Sequence, residues 1–125
     1  MAEPLGILLI AGTHERAHYA FVMAAGAAAI GREVVLFATN DGCRALLTDW
    51  RSLADPERDA AVRAAGVAGL EELRAAAIEL GVRLIACDSG LRMAGLDGAA
   101  LVEGASVAGV PAFLSALGGG AIVTL

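Results

Sequence analysis

A chain of 125 residues with a net charge of −5 and 58% hydrophobic residues is sized for one domain, and its mean hydropathy of +0.69 is high for a soluble monomer. The acidic balance, with every one of the nine basic residues an arginine, argues against a phosphate-backbone footprint and hence against nucleic acid as a ligand. The uncharged run of residues 17–31 falls short of the about 20 residues that span a bilayer and is read as a helix packed on a sheet, and no membrane partner is expected.

The surplus of apolar residues points to a subunit interface, and a homo-oligomer is the expectation. The start Met-Ala-Glu-Pro lacks the charged n-region and cleavage site of a leader. With only two cysteines, this suggests a cytoplasmic protein with free thiols.

Leu5 to Ala11 is an apolar run without period-two alternation, the pattern of a strand covered on both faces. Thr13 is a candidate N-cap for a helix from about Glu15 to Ile30, whose alanines and Gly26 permit close approach to a sheet. Glu33 to Ala38 forms a second strand, followed by the turn Thr39-Asn40-Asp41-Gly42 and a short helix through Leu47. Residues 48–53, with Trp50, read as a cover over the sheet edge.

Asp55-Pro56 is a helix start signal, with the helix ending at Gly66. A second helix runs from Leu70 to Leu80, apolar at three- and four-residue spacing, with Glu71, Glu72, Arg74 and Glu79 on its other face. Val82 to Ala86 is a third strand. A helical turn then ends near Gly95, and Asp97 is a candidate cap for another helix to about Glu103. Residues 106–108 make a weak edge strand, Val110 to Leu117 a helix with Pro111 in its first turn, and Ala121 to Leu125 a last strand. Strands alternating with helices imply right-handed crossovers and a three-layer α/β/α sandwich around a mostly parallel sheet of about five strands, a flavodoxin-like architecture.

Cys87 falls at the carboxyl end of the third strand, before the turn cluster Asp88-Ser89-Gly90. With Asp88 or Ser89 as N-cap, the following helix presents unpaired N–H groups to the thiol and favours a thiolate. Arg92 would push the same way and Asp88 the opposite way. The same carboxyl edge of the sheet, where ligands bind in such folds, collects Thr13, His14, Glu15 and Arg16 after the first strand, and Asn40, Asp41, Cys43 and Arg44 after the second.

Residues 11–16 match neither a phosphate-binding loop nor a dinucleotide fingerprint, so no nucleotide cofactor is expected. Cys43 and Cys87 do not form a C-x-x-C motif, and a disulfide between them requires Cα atoms within about 7 Å. Cys43, Cys87 and His14 with a carboxylate are a conceivable zinc set, but no short-range ligand pair nucleates it. What remains is one nucleophilic thiolate that carries sulfur as a persulfide, with Arg92, Arg44 and Arg16 attracting anionic sulfur donors. The rivals are a thiol redox enzyme pairing Cys43 with Cys87 and a non-catalytic oligomeric ligand-binding module.

Gly6-Ile-Leu-Leu-Ile, Thr13-His14-Glu15-Arg16, the small-residue helix to Gly31, Glu33-Val-Val-Leu-Phe and above all Leu84-Ile-Ala-Cys87-Asp-Ser-Gly-Leu resemble the DsrE/DsrF-like proteins over nearly the whole chain. The resemblance implies the YchN-like fold, a trimeric or hexameric assembly, and sulfur-relay chemistry in which Cys87 stands at the sulfur-carrying position. It also implies donor and acceptor proteins, or small sulfur anions, as partners. Some relatives are labelled peroxiredoxin-like. The connection over residues 47–69 is longer than in compact members, and Cys43 is not a feature of the single-thiol carriers.

Overall fold

The computed structural model describes residues 3–125. Five strands, β1 (Leu5–Leu9), β2 (Val34–Ala38), β3 (Arg83–Cys87), β4 (Ala105–Ala108) and β5 (Ile122–Thr124), form one sheet in the order β4-β3-β2-β1-β5. Every pairing is parallel, so all carboxyl ends share one edge. The helices are α1 (His14–Ala29), α2 (Arg58–Ala64), α3 (Leu70–Glu79), α4 (Asp88–Met93) and α5 (Val110–Leu117). Two short 3-10 helices, Asn40–Leu46 and Trp50–Ser52, form a strap between β2 and α2.

Alternation along the strands divides the core in two. Ile7, Leu9, Leu36, Ala38, Leu84 and Ala86 face α1, α3 and the strap. Val35, Phe37, Ile85 and Cys87 face the opposite way, where Phe113 and Leu117 of α5 cover them. Phe37 and Phe113 stack with centroids 4.8 Å apart. Helices therefore flank both faces, as expected, but the second face is covered chiefly by an eight-residue helix whose Val110 and Leu114 remain half-exposed.

Most elements lie where the sequence places them, with four departures. Thr13 does cap α1, its Oγ accepting the Arg16 N–H at 3.3 Å, but Gly26 faces solvent, and Ala17, Ala20 and Ala24 provide the close approach to the sheet. Asp55-Pro56 forms a lead-in turn, with Asp55 at φ 57° and its carbonyl accepting the Arg58 N–H, so α2 begins later than the proline signal implies. Asp97 starts no helix. That segment is knitted to the strap instead, by Thr48 N–H to the Ala100 carbonyl at 2.9 Å and Val102 N–H to the Leu46 carbonyl at 2.8 Å.

The fourth departure is Arg74, which is 2% exposed rather than on the solvent face of α3. Its guanidinium donates to the carbonyls of Ala45 (3.0 Å), Leu47 (2.6 Å) and Thr48 (3.2 Å) and pairs with Glu71 at 3.2 Å. A buried cation is tolerable only with such a complete set of acceptors. Here it pins the strap to α3.

Candidate functional site

β3 delivers Cys87 to the carboxyl edge as its last residue, and the chain turns at once into α4. The N-cap of α4 is Cys87 itself, where Asp88 or Ser89 was the expectation. Its sulfur accepts the Gly90 N–H at 3.4 Å and lies 3.3 Å from the Ser89 hydroxyl. Burial pushes the thiol up, but the hydroxyls of Ser89 and Thr39 and the N–H groups of Gly90 and Ser89 outweigh it, leaving the thiol below its ordinary range. Cys87 is 3% exposed and packs against Phe37, Ile85, Phe113 and the bordering Ala108.

Asp88 is exposed, and its carboxylate accepts the Ser89 N–H at 2.7 Å. Arg92 is exposed and is not among the groups that lower the Cys87 thiol. The donors that do so are uncharged.

The other candidate residues are not among the donors to this sulfur. Cys43 is fully buried on the opposite face of the sheet, in the core with Ala38 and Ala86, and donates to the Ala38 carbonyl at 3.5 Å. Burial there raises its thiol to about 11, although the backbone N–H of Cys87 favours its thiolate. The β3 backbone thus separates the two thiols.

His14 is also fully buried, donating from Nε2 to Asp59 at 2.8 Å, stacked on His18 and tilted against Trp50. Arg16 is exposed on α1, and Arg44 is engaged by Asp41 at 3.1 Å. Among the described residues no three His, Cys, Asp or Glu side chains converge as a metal set. A groove of about 550 Å³ lined by Gly12, Thr13, Asp41, Arg44, Ser52 and Ala54 opens on the same edge without reaching Cys87.

By sequence alone Thr39 is a turn residue with no site role. The signal was its position directly after β2, beside the strand that ends in Cys87.

The family model of the DsrE/DsrF-like family matches residues 5–124. The chain belongs to the DsrE/DsrF-like family. The structure of the ychN protein from E. coli shares the fold over 100% of both chains at a TM-score of 0.67 and 13% identity. MTH1491 from Methanobacterium thermoautotrophicum, a protein of unknown function, does so over 98% of this chain and 99% of its own, at a TM-score of 0.64 and 20% identity. No curated protein sequence gives a significant match. Among the described residues no helix is long and apolar enough to cross a membrane. The DsrE/DsrF-like family is generally associated with sulfur relay.

Proposed function

We propose that this protein is a cytoplasmic sulfur carrier in which Cys87 accepts a sulfane sulfur and passes it to a partner thiol. The observation that carries this reading is the Cys87 sulfur itself: one thiol at the carboxyl edge, surrounded by uncharged donors that favour its ionised form. In the loading step the Cys87 thiolate attacks the outer sulfur of a donor persulfide. The donor's S–S bond breaks, the Cys87 S–S bond forms, and the donor leaves as a thiolate. Attack by an acceptor thiolate on the outer sulfur then returns Cys87 to its thiolate form, so no external oxidant or reductant is consumed. Ser89 supports the thiolate directly. Arg92, exposed beyond it, is better placed to meet a partner or an anionic donor than to tune the sulfur.

A redox enzyme pairing Cys43 with Cys87 is less well supported, because Cys43 is sealed in the other core with a raised thiol. The half-exposed Val110, Leu114 and Ile122 on the thinly covered face favour a homo-oligomer.

Intact and peptide mass spectrometry of the reduced protein after exposure to a persulfide donor tests the reading. Gain of one sulfur on Cys87, absent in Cys87→Ser, is expected. A wild-type protein that stays unmodified overturns it.

A further inference from the structure

Ala38 of β2 pairs with Ala86 of β3, so the next residue, Thr39, stands beside Cys87 at the end of the ladder. The turn it begins is wedged between two glycines. A Cβ at Gly90 in α4 would collide with Thr39 Oγ and lie 2.5 Å from the Asn40 nitrogen and 2.9 Å from Thr39 Cα. On the other side, a Cβ at Gly42 would collide with the Leu9 carbonyl oxygen of β1. Asn40 takes up a left-handed φ of 52° between them. Only hydrogen at both glycines lets the turn enter so far, and that depth sets Thr39 against α4.

The Thr39 hydroxyl has a single proton to donate. Its neighbouring acceptor is the Asn40 side-chain oxygen at 3.5 Å, the outer limit of a hydrogen bond. A thiolate beside it is a stronger acceptor than a neutral amide. We propose that Thr39 is a positioning residue of the Cys87 site, its hydroxyl turning from Asn40 to the sulfur when the thiolate forms.

This deepens the sulfur-carrier reading and rests on its choice of Cys87 as the reacting thiol. Once sulfur is loaded, negative charge moves one atom outward, and the inner sulfur no longer holds the Thr39 proton. The hydroxyl therefore favours the unloaded thiolate, both as attacking and as leaving group.

The test is the pH dependence of iodoacetamide alkylation at Cys87, read by peptide mass spectrometry on wild type, Thr39→Val and Thr39→Ser, with a thermal melt of each. Valine keeps the branched shape without the hydroxyl, and serine keeps the hydroxyl. Thr39→Val is expected to move the midpoint to higher pH and to slow alkylation at pH 7 about tenfold, the worth of one hydrogen bond to a charged group. Thr39→Ser is expected to restore the wild-type midpoint. If valine disturbs folding, Thr39→Ala supplies the hydroxyl-free comparison. A hydroxyl-free variant with the wild-type midpoint, or a serine variant shifted as far as valine, overturns the proposal. Alkylation needs no sulfur donor, so this failure is distinguishable from failure of Cys87 to load.

Discussion

Cys43 and Cys87 lie on opposite faces of the sheet, the Cys43 sulfur in the core under α1 and α3 and the Cys87 sulfur in the core under α5, with the β3 backbone between them. The Cys87 backbone N–H nonetheless bears on the Cys43 sulfur, so the two residues are neighbours whose thiols point apart. Burial dominates at Cys43, while donors prevail at Cys87.

The two thiols should therefore separate cleanly under alkylation. In the folded protein Cys87 is expected to react first, with a rate that rises at lower pH than an ordinary thiol's. Cys43, its thiol raised to about 11, is expected to react only once denaturant opens the core. Time-resolved labelling with peptide mass spectrometry checks this. Rapid native labelling of Cys43, or a Cys43–Cys87 disulfide under mild oxidation without unfolding, would contradict the geometry.

Arg74 makes a prediction about stability. Replacing it with methionine keeps much of the volume but strips donors from the carbonyls of Ala45, Leu47 and Thr48 and from Glu71, whose carboxylate also accepts the Trp50 Nε1–H at 2.9 Å. Arg74→Met is expected to cost about 3 kcal/mol, because several buried carbonyls lose their partner at once. Denaturant unfolding of the two proteins gives the value. Arg74→Lys should recover only part of it, since an ammonium cannot reproduce the planar fork.

Gly90→Ala tests the wedge from the α4 side. The added methyl meets backbone at Asn40 and Thr39, which cannot swing aside as a side-chain tip can. A loss of about 2 kcal/mol is expected, with a rise in the Cys87 alkylation midpoint as the turn is pushed off the sulfur. A thermal melt together with the labelling rate reads both. An unchanged midpoint in a destabilised Gly90→Ala would separate packing from thiol tuning.

The strands and α5 could be read from the sequence because their signals are local: apolar runs of strand length for β1 to β3, and Pro111 at a helix start. Cys87 was visible for the same reason, as a thiol at the junction of a strand with a turn cluster. What escaped depends on contacts between distant segments. Arg74 belongs by its spacing to a solvated face and is buried only because the strap offers it carbonyls some 26–29 residues away in sequence. Thr39 gains its meaning only when β2 is known to lie beside β3. His14 belongs by its position after β1 to the ligand edge, yet its partner Asp59 comes from α2, 45 residues on, and draws it into the core.

That His14–Asp59 pair carries the last prediction. One carboxylate oxygen, Asp59 Oδ1, accepts both His14 Nε2–H and the Leu70 N–H at 2.8 Å, while Oδ2 lies 3.4 Å from Arg63, so a single side chain joins the starts of α1 and α3 to α2. Burial pushes the Asp59 carboxyl up, but the Leu70 N–H, His14 and Arg63 hold it below its ordinary value. A depressed folded value means that the unfolded chain binds the proton more readily. The stabilisation is therefore fully present above the unfolded carboxyl range near pH 4 and is lost as pH falls through the lower folded value. Asp59→Ala should cost about 2–4 kcal/mol at neutral pH by orphaning two buried donors. Asp59→Asn keeps an oxygen for both and should cost less, and its stability should fall less steeply as pH drops below about 4 than the wild type's. Urea unfolding across that range decides it: parallel curves for wild type and Asp59→Asn would mean that the carboxylate is not the source of the acid sensitivity.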